Sequence, residues 1–117
     1  MSQGAKVYVF DNLSAGTLQN IEQWHNNPNI TFIKGDLLNP ADLKKLEEEH
    51  FDLVFHLAAN PEVRIGSTNP DIHFQQNIVA THNLLESLRK TKNKPTLIFT
   101  STSTVYGEPT KIPTPEN

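Results

Sequence analysis

The chain alternates short apolar runs with segments of helical spacing. Val7-Tyr8-Val9-Phe10 is an apolar run ending at Asp11, and it predicts a strand. Between Thr17 and His25, Leu18, Ile21 and Trp24 share one face of a short helix, which makes Trp24 a packing residue rather than a stacking platform. A second strand is expected over Asn29 to Lys34, closed by Gly35-Asp36-Leu37. Asn39-Pro40-Ala41-Asp42 then carries helix-start chemistry: a capping amide, a proline whose missing N–H costs nothing at the first helical position, and a carboxylate near the positive end of the dipole. That helix is expected to run to about Glu49, with Leu43 and Leu46 inward and Glu47 to Glu49 as its solvated face.

Phe51 to Leu57 predicts a third strand, whose Leu53-Val54-Phe55 centre is apolar throughout, as suits a strand covered on both faces. Asn60 to Thr68 has little periodicity and reads as a loop. Asn69-Pro70-Asp71 repeats the helix start, and Phe74, Ile78, Thr81, Leu85 and Leu88 form a stripe bordered by Asn77 and Leu84. That spacing predicts an amphipathic helix of about 20 residues, about 30 Å long. Thr96 to Phe99 predicts the fourth strand, and Pro109, Pro113 and Pro115 mark the residues after Gly107 as loop. The order β-α-β-α-β-α-β implies an α/β fold with right-handed crossovers and a parallel, doubly wound sheet in a single domain over residues 1–117.

Composition narrows the function. With 117 residues, 36% of them hydrophobic, and a formal net charge of −3, the chain suits a globular domain and offers no nucleic-acid surface. Its densest basic group, Arg89, Lys90, Lys92 and Lys94, falls at a helix end, where positive charge complements the dipole. There is no cysteine, hence no disulfide framework or thiolate metal site. No apolar run of about 18 residues and no signal-peptide pattern occurs, so no membrane partner is expected and the location expected is cytoplasmic.

Candidate chemistry gathers at the strand ends, where a doubly wound sheet binds ligands. Asp11 is placed to meet a ribose, or to begin an Asx turn with Asn12. Ala58-Ala59 would let a flat or charged ligand approach the backbone, or would simply pack tightly. Thr100 to Thr104 is either a set of hydroxyl donors or a Ser/Thr loop. Asn77, an amide beside an apolar stripe, is a bridge to loop backbone or part of a site. The histidines show no ligand spacing such as H-x-x-x-H, and no serine sits in a G-x-S-x-G elbow, which argues against metal and triad chemistry.

Five stretches together resemble the extended short-chain dehydrogenase/reductases, the family of NAD-dependent nucleotide-sugar epimerases and dehydratases. They are Val-Phe-Asp11-Asn12-Leu, Gly35-Asp36-Leu37, His56-Leu57-Ala58-Ala59, Asn77-Ile-Val-Ala-Thr81-His-Asn83-Leu-Leu, and Phe99-Thr-Ser101-Thr102-Ser-Thr-Val-Tyr106-Gly107. The last is most similar to the UDP-glucose 4-epimerase branch. The resemblance implies a partial Rossmann-like domain, NAD as cofactor and a UDP-sugar as substrate, and it is compatible with a homo-oligomer. By the same resemblance Asp11 and Asn12 would bind the adenosine ribose, Asp36 and Leu37 the adenine, and Leu57, Ala58 and Ala59 the region of the pyrophosphate and nicotinamide ribose. Asn77 would sit beside the nicotinamide end. Thr100 and Ser101 would line the pocket, and Thr102 would supply the catalytic hydroxyl.

Two parts that the resemblance implies are not in these 117 residues. The five glycines, at 4, 16, 35, 66 and 107, form no G-x-x-G-x-x-G, and no Tyr-x-x-x-Lys occurs. Tyr106 is followed at four residues by Thr110, so it reads as a packing residue of its loop. The expectation is therefore a segment of a longer enzyme, without the first strand and the C-terminal substrate domain, and with no epimerase turnover of its own. The first strand would lie between those beginning near Val7 and Phe51. Without it the inner edges would pair directly, recruit another chain, or leave the fold marginal. A nucleotide-sugar 4,6-dehydratase and a non-catalytic α/β module are the alternatives. Ser103-Thr104, where dehydratases usually carry an acidic pair after the catalytic Thr, favours the epimerase.

Overall fold

A computed structural model describes residues 4–115. Strand β1 (Val7–Asp11) is followed by a 3-10 helix (Leu18–Trp24), strand β2 (Ile30–Lys34), helix α1 (Pro40–Glu47) and strand β3 (Leu53–His56). A second 3-10 helix (Val63–Ser67) precedes a long helical rod made of α2 (Pro70–His73), a π-helical turn (Phe74–Val79) and α3 (Ala80–Lys90). Strand β4 (Thr96–Phe99) and a short 3-10 turn (Ser103–Tyr106) complete the order. The alternation of strand and helix is the one the apolar pattern predicts, with the Val63–Ser67 turn added where no periodicity announced it.

Local chemistry explains the helix ends. Asn39 caps α1 as expected, its side-chain oxygen accepting the Ala41 N–H at 3.0 Å, with Pro40 in the first turn. Asn69 precedes the same Pro-Asp pattern but makes no side-chain cap. At the far end of α3 one member of the basic cluster reaches the helix-end carbonyls and two others pair with carboxylates. Lys94 donates from Nζ to the carbonyls of Arg89 and Thr91, Arg89 clasps Glu86, and Lys90 lies 3.6 Å from Glu47 on α1.

The strands form two parallel pairs, β1 with β2 in the register Val7 to Ile30, and β3 with β4 in the register Leu53 to Thr96. Both pairs rest on one helix layer. Leu43 and Leu46 of α1 and Leu84 and Leu88 of α3 form the buried cluster, and Phe10, Ile33, Leu37, Phe51, Val54 and Leu97 pack onto it from the strand side. The Tyr8 and Phe51 rings meet edge to face at 5.4 Å, and Phe10 to Asn12 share a cleft with Leu57 to Ala59. The spatial order is therefore β2-β1-β3-β4, with no strand pairing between β1 and β3. That is a Rossmann-like arrangement interrupted at its centre.

Two expectations about faces are corrected. The apolar centre of β3 is covered on one side only: Val54 and His56 turn toward the helices, while Leu53 is exposed and Phe55 is 59% exposed. On the long helix the buried positions are Ala80, Leu84, Ser87 and Leu88, whereas Phe74, Ile78 and Leu85 of the predicted stripe face outward. The small Ser87 meets α1 directly, its hydroxyl reaching the Leu43 carbonyl at 3.4 Å, while Ala80 lines the cleft at the strand ends. A helix with two apolar faces was thus decided by which face its neighbour could fit. Tyr106, expected to pack in its loop, is exposed.

Candidate functional site

The carboxyl ends of β1 and β3 open into one cleft of about 210 Å³. Seven of the residues singled out in the sequence line it: Asp11, Asn12, Asp36, Leu37, Leu57, Ala58 and Ala59. Asp11 ends β1, and its Oδ1 accepts the Leu13 N–H at 2.6 Å, so the Asx turn forms. That turn holds Leu13 at φ 61°, in the left-handed region. The two readings of Asp11 prove compatible, since a carboxylate has a second oxygen and further lone pairs to offer a ligand.

Asn12 joins the two strand ends on this side. Its Nδ2 donates to Asp36 Oδ2 at 3.1 Å, while Asp36 Oδ1 accepts the Leu38 N–H at 2.8 Å. The Asp36 N–H in turn donates to Asp42 Oδ2 at 3.1 Å. Lys45, 2.6 Å from the other Asp42 oxygen, holds the Asp42 carboxyl below its usual range, and the Asp36 N–H adds to the effect. Leu37 is pinned by its carbonyl, which accepts from Asn83 Nδ2 at 3.0 Å. Gly35 is obligatory beneath this wall, since a Cβ there would stand 2.4 Å from the Phe10 ring.

A buried polar relay braces the opposite wall. The Thr81 hydroxyl donates to the Asn77 carbonyl at 2.6 Å, so it accepts from His56 Nε2 at 2.8 Å and assigns that nitrogen the proton. Asn77 Oδ1 accepts the Asn60 N–H at 2.7 Å, and Asn60 Nδ2 donates to Gln76 Oε1 at 2.8 Å. The π-helical turn places Gln76 and Asn77 against the loop that leaves β3, a use typical of π-bulges at functional sites. Asn77 is thus the bridge to loop backbone that its position beside an apolar stripe suggested, and it holds the loop that carries Ala58 and Ala59.

His56 is only 3% exposed, and burial pushes its imidazole below the ordinary value of 6.5. The unfolded chain therefore binds a proton below about pH 6.5 that the folded chain refuses. Stability contributed by neutral His56 is full above that pH and is lost as pH falls toward the folded value. Urea midpoints measured from pH 8 to pH 5 should fall on the acid side, and His56→Asn should flatten that decline; an equally steep decline in the variant would refute the assignment.

Not every expected residue reaches the cleft. Thr100, Ser101 and Thr102 follow β4 and are exposed outside the cleft lining. Thr100 stays tied to β3, its N–H donating to the His56 carbonyl at 3.2 Å. Thr102 caps the 3-10 turn, its Oγ1 accepting the Thr104 N–H at 3.3 Å and lying 2.9 Å from the Thr104 hydroxyl. Gln76 and the Ser14-Ala15-Gly16 turn line the cleft without having been anticipated. Small residues directly after Asp11 were the available signal for the latter. No group of three or more His, Cys, Asp or Glu side chains suited to a metal ion occurs among the described residues, and no helix there is long and apolar enough to cross a membrane.

Known proteins share this fold. The family model described as GDP-mannose 4,6 dehydratase matches residues 1–117. The chain belongs to this epimerase/dehydratase family. It is 35% identical over 124 residues to the bifunctional UDP-glucose 4-epimerase and UDP-xylose 4-epimerase 1 of Pisum sativum, covering 100% of this chain and 35% of that protein. Among solved structures, the UDP-N-acetylglucosamine 4-epimerase of Methanobrevibacter ruminantium M1 superposes with a TM-score of 0.77 at 40% identity, covering 95% of this chain and 34% of that one. The UDP-glucose 4-epimerase of Brucella ovis, solved in complex with NAD, gives 0.78 at 29% identity, over 95% of this chain and 32% of that one. The chain spans about a third of the length of the relatives it matches.

Proposed function

We propose that these residues form the adenosine-binding side and the hydroxyl-bearing strand of an NAD-dependent UDP-sugar 4-epimerase. The observation that carries the reading is the convergence of Asp11, Asn12, Asp36, Leu37 and Leu57 to Ala59 on one cleft at the strand carboxyl ends. The residues suit the cofactor: a strand-end carboxylate for ribose hydroxyls, a glycine turn beside it, and small side chains where backbone must approach closely. Asp11 would hold the adenosine ribose and repel the extra phosphate of NADP, with Asp36 and Leu37 flanking the adenine. Asn77 would set the nicotinamide end through its hold on Asn60. Bound NAD would supply the hydride acceptor. The Thr102 hydroxyl would hydrogen-bond the sugar hydroxyl that is oxidised and later re-formed, with Thr100 and Ser101 beside it. The proton acceptor, a tyrosine in this family, would come from outside these residues. The 4,6-dehydratase reading is second, favoured by the description of the matching family model and disfavoured by Ser103-Thr104 after Thr102.

The test is a chimera in which residues 1–117 replace the matched window of the Pisum sativum UDP-glucose 4-epimerase. Turnover of UDP-galactose within about tenfold of the parent is expected, and Asp11→Asn should narrow the preference for NAD over NADP by about tenfold. A folded, NAD-binding chimera that turns over no UDP-hexose would overturn the reading.

A further inference from the structure

Two neighbouring amides of the long helix meet the loop after β3, and their hydrogen bonds leave them in different states. Asn77 is engaged at both ends, with Oδ1 accepting the Asn60 N–H at 2.7 Å and Nδ2 lying 3.3 Å from His73 Nδ1. Gln76 is engaged at one end. Asn60 Oδ1 accepts the Glu62 N–H at 3.0 Å, so the nitrogen of the Asn60 amide is the donor toward Gln76, and the group it meets there at 2.8 Å has to be the Gln76 oxygen. Gln76 Nε2 is the end left over. It has no partner among the described residues and is not sealed in the interior, and Gln76 lines the cleft.

The cleft is polarised by this arrangement. One wall offers the carboxylate oxygens of Asp11 and Asp36, and no lysine, arginine or histidine side chain lines the cleft among the described residues. On the wall of Leu57, Ala58 and Ala59 the polar side chain is Gln76, with its donor end free. A dinucleotide has the matching polarity: its adenosine end carries hydroxyl and amine donors for the carboxylate wall, and its pyrophosphate bridge carries acceptor oxygens alone. We propose that Gln76 is a cofactor-binding residue that donates from Nε2 to a pyrophosphate oxygen of the dinucleotide. The proposal rests on the reading of the cleft as an NAD site. It adds a donor one residue before Asn77, the amide to which the sequence points, whose side chain is already engaged within the protein. A hydrogen bond from a neutral amide to a charged oxygen strengthens binding by about tenfold or more.

The test is equilibrium binding of NAD, ADP-ribose and adenosine to the pea chimera and to two variants of it. Gln76→Glu keeps an acceptor for Asn60 Nδ2 and removes the donor, whereas Gln76→Met removes both and adds no charge. The expected result is that Gln76→Met binds NAD and ADP-ribose about tenfold more weakly and Gln76→Glu at least as weakly, with adenosine affinity within about twofold in both. Raising the salt to about 0.5 M should recover part of the loss in the glutamate variant and none of it in the methionine variant. Parent-like binding by Gln76→Glu would reduce Gln76 to a brace for Asn60, parent-like binding by Gln76→Met would leave nothing but charge repulsion behind the glutamate effect, and an equal loss for adenosine would move the contact away from the bridge; each overturns the proposal. A parent chimera that binds neither NAD nor ADP-ribose overturns the NAD reading of the cleft as well, which separates that failure from a failure of Gln76 alone.

Discussion

Replacing Leu84 with alanine should cost about 2.7–5 kcal/mol, the range for truncating a leucine in a well-packed core. Leu84 is 5% exposed and belongs to the cluster with Leu43, Leu46 and Leu88. Its effect is amplified by topology. The β1–β2 and β3–β4 pairs share no strand pairing, so the α1–α3 layer is what holds the two halves together. A domain of this size has a total stability of about 5–15 kcal/mol, so the variant should lose much of its folded population. Leu85, one residue on and 45% exposed, is the control, and Leu85→Ala should stay within about 0.5 kcal/mol. Urea titrations of the two variants decide the matter. If Leu85→Ala proved the costlier change, the buried face of α3 would have to be the one the sequence periodicity suggested.

Thr102→Val in the pea chimera should lower kcat by about a hundredfold or more, the low end of what positioned proton-transfer groups contribute. The substitution keeps the side-chain shape and removes the hydroxyl. In the structure that hydroxyl is exposed and engaged only locally, with Thr104, so no core interaction is lost with it. The local loss is a capping bond of about 1 kcal/mol, visible as a small drop in Tm. Thr102→Ser should restore kcat to within about tenfold, because it returns the oxygen without the methyl. If serine and valine lowered kcat alike, the Thr102 hydroxyl would not be the reacting group and the hydroxyl chemistry would have to come from another position.

The structure gives the strand-end cluster a shape that its residues alone did not specify. Asp11 was readable both as a ribose ligand and as an Asx-turn residue, and its Oδ1 does form the turn while the carboxylate lines the cleft. Asn77 was readable as a bridge or a site residue, and its Oδ1 does accept the Asn60 N–H and so bridges to the loop. Gln76 entered the cleft through a π-helical turn, which a spacing of four and three cannot announce because it assumes regular 3.6-residue winding. His56 gave no outward sign of its role. Its burial and its bond to Thr81 join two elements 25 residues apart, a relation no local window contains.

Residue chemistry by itself determined where the strands and helices lie, that the strands run parallel, and that small and acidic residues fall at the strand ends. Those are local matters, set by the spacing of apolar side chains, by Asn39 and Pro40 at a helix start, and by connection lengths. Only the tertiary structure decided which of two apolar faces of α3 is buried, that β3 is covered on one side, and that β1 and β3 stand beside each other unpaired. These depend on what packs against each surface: Ser87 meets the Leu43 carbonyl of α1, and the helix layer carrying Leu43, Leu46, Leu84 and Leu88 spans both strand pairs without joining β1 to β3.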